Sequence, residues 1–300
     1  METKNNWRAW LYLAPMLILM AVFTFYPLFN AFIISFYKDY QPLLNQRAPG
    51  MTLDNYSIVI NNYFFKQALK NTFTLAFISV PISIVLSLFI AVALNSIPRL
   101  KAFFQTIFFL PYVTNGIAVG MAFAVIFHRN YGLFNQFLSW FGVAPVDWIG
   151  STATWGKQMT ALMIFTIWDS LAFKILVFAS GLTNIDKQYY DAARIDSASK
   201  WTIFKRITVP LLSPLILYIS ITSMIGALKA YNSIIALFGE SLGGRPRDMI
   251  TIVAFVYQYR ADYANIGFYS YAAAGAIILF MITLAFTGLQ TIVSRKRVHY

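Results

Sequence analysis

Cysteine is absent from this chain of 300 residues, which excludes disulfides and thiolate-ligated metal sites. Histidine is nearly absent. His128 and His299 stand far apart in the sequence, so imidazole-based metal or triad chemistry has no support. Charge is scarce as well: 11% of residues are charged, where a soluble domain carries roughly a quarter. No G-x-x-x-x-G-K-[ST] phosphate loop occurs, so the chain is not expected to hydrolyse ATP. What fills the sequence is apolar. Fifty-nine per cent hydrophobic residues and a mean hydropathy of +0.62 indicate a polytopic membrane protein. The net charge of +12 resides in segments between apolar runs rather than in one patch, so topology explains it and nucleic acid is not expected as a partner.

Six apolar runs are long enough to cross a bilayer, which needs about 20 residues per helix. They cover Trp10 to Phe36, Asn71 to Leu94, Thr106 to Phe127, Gln158 to Gly181, Leu211 to Phe238 and Tyr271 to Val293. The first greatly exceeds the about 7–15 apolar residues of a cleaved signal, and Pro15 and Pro27 are its expected kinks. Residues 37–70, 128–157 and 239–270 are assigned outside. The short segment 95–105, with Arg99 and Lys101, and the basic end Arg295-Lys296-Arg297 are assigned inside, as are both termini. Trp140, Trp148 and Trp155 suit interfacial anchors rather than a binding platform. The chain thus divides into an N-terminal segment with the first span and an outer loop (1–66), a five-helix transmembrane domain (67–294) and a basic tail (295–300).

One insert interrupts the apolar pattern. Residues 186–214, DKQYYDAARIDSASKWTIFKRITVPLLSP, read as two short amphipathic helices, one from Lys187 to Asp196 capped by Asp186 and one from Lys200 to Thr208 capped by Ser199. Ala192 and Ala193 leave a shallow surface for a closely packed partner, and Trp201, Phe204 and Ile207 share a face of the second helix. Basic residues before the next apolar run place the insert on the inner side.

Inside the fourth span stand Asp169 and Lys174. Five residues apart, they are about 140° apart on a helix and do not pair. Lys174 is expected to snorkel to the inner end. Asp169 cannot, and is read either as a pathway residue or as a structural partner of a polar group on a neighbouring helix or subunit. Lys229, Tyr231 and Asn232 break the fifth span.

The run Tyr190-Asp191-Ala192-Ala193, then Asp196, Ser197, Ala198, Phe204, Ile207, Pro210 and Pro214, resembles the EAA motif of membrane subunits of binding-protein-dependent ABC importers. Two positions depart from the family pattern: Asp191 where Glu is usual and Ser197 where Gly is usual, so the turn after Asp196 must be made without glycine. Further landmarks resemble the carbohydrate branch, similar to maltose and glycerol-phosphate permeases: Leu53-Asp54-Asn55-Tyr56, Ala68 to Thr72, Phe108 to Tyr112, Tyr131 to Asn135, Ile167-Trp168, Gly181-Leu182 and Gly243-Gly244-Arg245-Pro246.

The resemblance implies an all-α type I importer architecture in a prokaryotic plasma membrane, with this chain as half of a gate. Implied partners are a homologous second permease, two cytoplasmic ATPases that hold ATP and Mg, an extracytoplasmic binding protein that delivers the solute, and membrane lipid; no cofactor is bound by this chain. The insert would dock on an ATPase. Trp168, Asp169, Tyr231 and Asn232 would line the path of a sugar, since aromatic faces and amides suit neutral hydroxylated solutes. Two alternatives stay open: a permease for glycerol-phosphate-type solutes, which would give Lys229 a role, and a secondary carrier centred on Asp169.

Overall fold

The computed structural model describes residues 6–40, 50–97, 101–243, 247–261 and 269–295. Lys4, Pro42, Arg47, Pro49, Arg99, Gly244-Arg245-Pro246, Lys296 and Arg297 lie outside these ranges. The described residues are helical apart from turns, short irregular segments such as 143–147 and one isolated bridge, Tyr37 to Met51. In chain order the helices are α1 (Asn6–Met20), α2 (Tyr26–Ile34), α3 (Asp54–Asn61), α4 (Tyr63–Asn95), α5 (Lys101–Val113), α6 (Gly116–Ile126), α7 (Leu133–Ser139), α8 (Trp155–Thr183), α9 (Lys187–Ile195), α10 (Lys200–Ile203), α11 (Val209–Leu211), α12 (Ser213–Leu228), α13 (Asn232–Phe238), α14 (Ile252–Ala261) and α15 (Tyr269–Arg295). Four apolar stretches can cross a bilayer alone, Ala9–Ile34, Tyr63–Asn95, Trp155–Thr183 and Tyr269–Ser294, and two bent pairs bring the number to six. The expected six-span, all-α class therefore holds.

Two of these spans are sharply bent. In the third span, Phe103–Val113 and Gly116–Ile126 meet at 99°. Pro111 supplies no amide to the ladder, and the Asn115 side chain accepts from the amides of Ile117 and Ala118 at 2.9 and 3.3 Å, which opens a new helix in a new direction. In the fifth, Lys200–Leu211 and Ser213–Leu228 meet at 67°. That span stops again at Leu228 and restarts at Asn232. The Thr251 hydroxyl donates to the Ala230 carbonyl in this break at 2.8 Å, satisfying a group that lipid could not.

Pro15 lies inside α1 without a break, contrary to the expected kink. The adjustment comes instead as a π turn at Ala21–Phe25, two residues before Pro27, and a second π turn at Phe204–Thr208 stands in the same relation to Pro210. A proline ring crowds the carbonyl four residues back, and a wider turn relieves that clash.

By internal contacts the chain forms two compact units, Met1–Phe65 with Ala254–Met281 and Lys66–Val253 with Ile282–Tyr300. In the first, buried Asn55 donates to the carbonyls of Ser35 and Tyr37 at 2.8 and 3.0 Å, fastening α3 to the end of α2. Phe65, Phe255 and Tyr259 form an aromatic cluster, the first pair edge to face, and Asn62 donates to the Tyr259 hydroxyl at 2.7 Å.

In the second unit, α6 crosses α13 so closely that a Cβ on Gly120 would collide with that of Ala236. Small residues permit that approach where helices meet without water. At the end bearing the 186–214 insert, Leu88, Ala91 and Leu94 of α4 pack with Ile175, Phe178 and Leu182 of α8 and with Leu212 and Ile219. At the other end a polar hub holds the chain. Buried Asn71 donates to the carbonyls of Asp248 and Ile250 at 2.7 and 2.8 Å and accepts from the Trp155 indole at 2.7 Å.

Candidate functional site

The insert is built from capped turns. The Asp186 carboxylate accepts from the Gln188 amide at 2.9 Å and opens α9. The helix closes where the Ala198 amide donates to the Ala193 carbonyl and the Ser197 amide to the Arg194 carbonyl, both at 3.0 Å. This paired closure needs a left-handed residue, usually glycine. Ser197 occupies it at φ +53°; relative to glycine, such a side chain costs about 1 kcal/mol. Ser199 then accepts from the Thr202 amide at 3.2 Å and opens α10. The regular helix expected to Thr208 ends at Ile203, and the π turn carries the chain to Pro210, itself half-buried.

One side of the insert is anchored. Phe204 stacks on Phe89 of α4 and on Trp201, with ring centroids 5.3 and 5.4 Å apart. Tyr190 and Thr208 share a hydrogen bond of 3.3 Å between hydroxyls. Phe204 and Val209 also pack on the core of α4, α8 and α12.

The other side is open. Tyr189, Ile195 and Trp201 are 55, 84 and 62% exposed. A cleft of about 450 Å³ is lined by Asp186, Gln188, Tyr189, Ala192, Ala193, Asp196 and Ile207. The two alanines differ: Ala192 is exposed, whereas Ala193 is buried against its own chain. Both line the cleft, so the expected small-residue surface is present, but Ala192 contributes more of it because successive helical residues differ by about 100° in direction. Exposed Asp191 pairs with exposed Arg194 on its own helix at 3.4 Å.

On α8, Trp168 is 39% exposed and packs on Phe123 of α6, centroids 4.9 Å apart. Asp169 is half-buried with no hydrogen bond or ion pair among the described residues. Lys174 does not snorkel. It is buried, and its Nζ donates to the hydroxyls of Ser83 on α4 and Ser170 at 2.6 and 2.9 Å. Serines are short enough for the lysine chain to lie between the helices, and their oxygens accept what the helix end would otherwise have to offer. Tyr231 is half-buried in the break before α13, and Asn232 is exposed with no bonded side-chain partner among the described residues. α13 packs on both α6 and α8, so the four sequence-predicted pathway residues lie on two neighbouring elements, Trp168 and Asp169 on α8 and Tyr231 and Asn232 at the start of α13.

Residues 83–299 match the family described as binding-protein-dependent transport system inner membrane component. This chain belongs to that family. The permease is 30% identical over 292 residues to the lactose transport system permease protein of Rhizobium radiobacter, covering 96% of this chain and 94% of that one. It is 31% identical over 288 residues to the trehalose/maltose transport system permease protein of Thermococcus litoralis, with coverage of 96% and 94%. A crystal structure of a bacterial ABC transporter that imports the acidic polysaccharide alginate contains a chain of the same fold, with a TM-score of 0.84 at 21% identity over 99% of the permease and 98% of that chain. The permease is thus a multi-pass transport component that works with partner subunits, not an enzyme.

Hydropathy alone does not reveal how the permease's 128–157 loop is latched. Asn135 donates to the carbonyls of Arg129 and Val146 at 3.0 and 2.8 Å and accepts from the Trp148 indole at 3.0 Å. The indoles of Trp148 and Trp155 thus serve as structural latches, whereas Trp140 is 80% exposed. Burial pushes the Asp147 carboxyl up, but hydrogen bonds from the Thr152 hydroxyl and the amides of Gly150 and Thr152, with the nearby Arg129 charge, together bring it below the ordinary carboxylate range.

Proposed function

We propose that this permease forms half of the translocation pathway of an ATP-driven importer for a neutral sugar or oligosaccharide. The observation that carries the reading is the set of pathway groups without internal partners, Asp169 and Asn232, beside the half-open aromatic surface of Trp168. Polar groups without partners in a membrane span are costly unless a solute or water meets them. Relatives named for lactose and for trehalose and maltose support the sugar class.

The partners in this reading are a homologous second permease, two ATPases holding ATP and Mg on the cytoplasmic side, and an extracytoplasmic binding protein that docks on the loops around 128–157 and 239–270. Both termini lie in the cytoplasm. The ATPase grips the open side of the insert, Tyr189, Ala192, Asp196 and Ile195, and the anchored side passes the displacement through Phe204 to Phe89 and the α4–α8–α12 core. Because that core sits at one end of α8, a pull on α9 tilts the helix that carries Trp168 and Asp169.

Two measurements test this. Uptake of lactose and maltose by Tyr231→Ala and Asn232→Ala variants in the complete transporter is expected to fall about tenfold, the effect of losing about 1.4 kcal/mol; unchanged kinetics in both would remove these residues from the path. In a detergent pull-down, Ala192→Glu should lose the ATPase and keep the second permease. Retention of the ATPase would sink the docking assignment.

A further inference from the structure

A second cavity, of about 510 Å³, lies where α5, α8 and α12 meet and is lined by Gln105, Leu176, Val177, Ser180, Asn184 and Leu215 among others. None of its lining side chains is charged. The side-chain amides of Gln105 and Asn184 and the Ser180 hydroxyl have no hydrogen-bond partner among the described residues. Neutral donors and acceptors above an aliphatic floor are the chemistry that holds a sugar, hydroxyls to the amides and ring C–H faces to the leucines. An anionic solute or lipid headgroup would find no cation there.

The cavity opens on the same side of α8 as Asp169. Leu176, Ser180 and Thr183 follow Asp169 by 7, 11 and 14 residues, which at about 100° per residue places all three within about 40° of its direction. Leu176, Ser180 and Thr183 are exposed along this stripe. Phe173, on the same side, stacks on Tyr112 of α5 with centroids 5.7 Å apart, giving an aromatic step midway. Ser180 lies about 16 Å along the axis from Asp169. Asn184 stands two residues before the Asp186 cap of α9.

We infer that this cavity is an exit-side site for the transported sugar, the station between the Asp169 region and the cytoplasm. The inference rests on the pathway reading proposed above. Its wall includes the residue that leads into the insert, so the displacement that drives transport also reshapes the cavity. Solute release and ATPase movement are thereby linked at Asn184.

The absence of cysteine makes the test direct, because Ser180→Cys and Asn184→Cys each introduce the sole thiol of this chain. The complete transporter is placed in proteoliposomes with the binding protein and labelled lactose or maltose in the lumen, and a charged, membrane-impermeant thiosulfonate is added on the ATPase side. Both thiols are expected to react. The modified transporter should move sugar about tenfold more slowly, and millimolar free lactose or maltose should slow the labelling itself. Failure of both thiols to react, as in a cavity filled by lipid or by the sister subunit, overturns the inference, and so does modification at either position that leaves transport unchanged. Failure of the pathway reading is distinguishable: Tyr231→Ala and Asn232→Ala then transport normally, whatever the thiols do. A wild-type transporter that moves neither sugar removes the sugar class and this site with it.

Discussion

Four asparagines of the Lys66–Val253 unit fall into two groups. Asn71 and Asn135, at the end bearing the 128–157 loop, are buried and bonded to backbone carbonyls and to an indole each. Asn184 and Asn232 are exposed, and their side chains have no partner among the described residues. The same side chain therefore fastens a loop in one place and stands open in the other. In a chain with so few charges, this division separates polar groups that build the fold from those left for solute or water.

The sharpest way to break the comparison is Asn71→Leu, which leaves the Trp155 indole and two carbonyls without their partner. A loss of about 3 kcal/mol is expected, read as a lowered melting temperature of the detergent-solubilised protein. Stability close to wild type would mean that water replaces the hub. A smaller effect, about 2 kcal/mol, is expected from Gly243→Ala. Gly243 has φ +110°, and an added Cβ would lie 2.7 Å from the Gln158 Oε1, so both strain and a clash oppose it.

Next to these, Asn184→Ala and Asn232→Ala should change stability by no more than about 0.5 kcal/mol. Comparable losses in the two groups would erase the distinction. The smallest effect is expected at Asp147. A carboxyl lowered by folding adds stability above its ordinary range and loses that contribution as pH falls through the lowered value. Asp147→Asn should therefore flatten the acid-side fall in hydrogen-exchange protection of residues 147–152; a slope equal to wild type would show that the Thr152 and Gly150 bonds do not bias ionisation.

Hydropathy made the six spans legible, and side-chain chemistry made the caps legible: Asp186 and Ser199 act where the sequence puts them. The bends were only half visible. Pro111, Gly116, Lys229 and Asn232 marked the regions, but the 99° turn depends on Asn115 folding back on two amides, a local geometry with no hydropathy signature. Direction was also hidden. Nothing in the order Ala192-Ala193 says which of the two methyl groups faces inward until Phe204 and the π turn fix how the insert lies. Lys174 misled because only one of its two acceptors, Ser170, is local, whereas Ser83 is 91 residues away, and a cation in a span defaults to snorkelling when a single hydroxyl is in view. The latch at Trp148 was hidden as well, its Asn135 partner being visible only after the loop has folded.

Ser197 has a mechanical consequence. The bend between α9 and α10 is held by two backbone bonds at its inside corner and by a side-chain cap at each helix start, so the insert resists flexing at the corner. A stiff bracket delivers torque to the membrane helices instead of absorbing it as a floppy hinge would. Serine is restricted in the unfolded chain where glycine is not, so the unusual residue trades local strain for a corner with fewer ways to come loose.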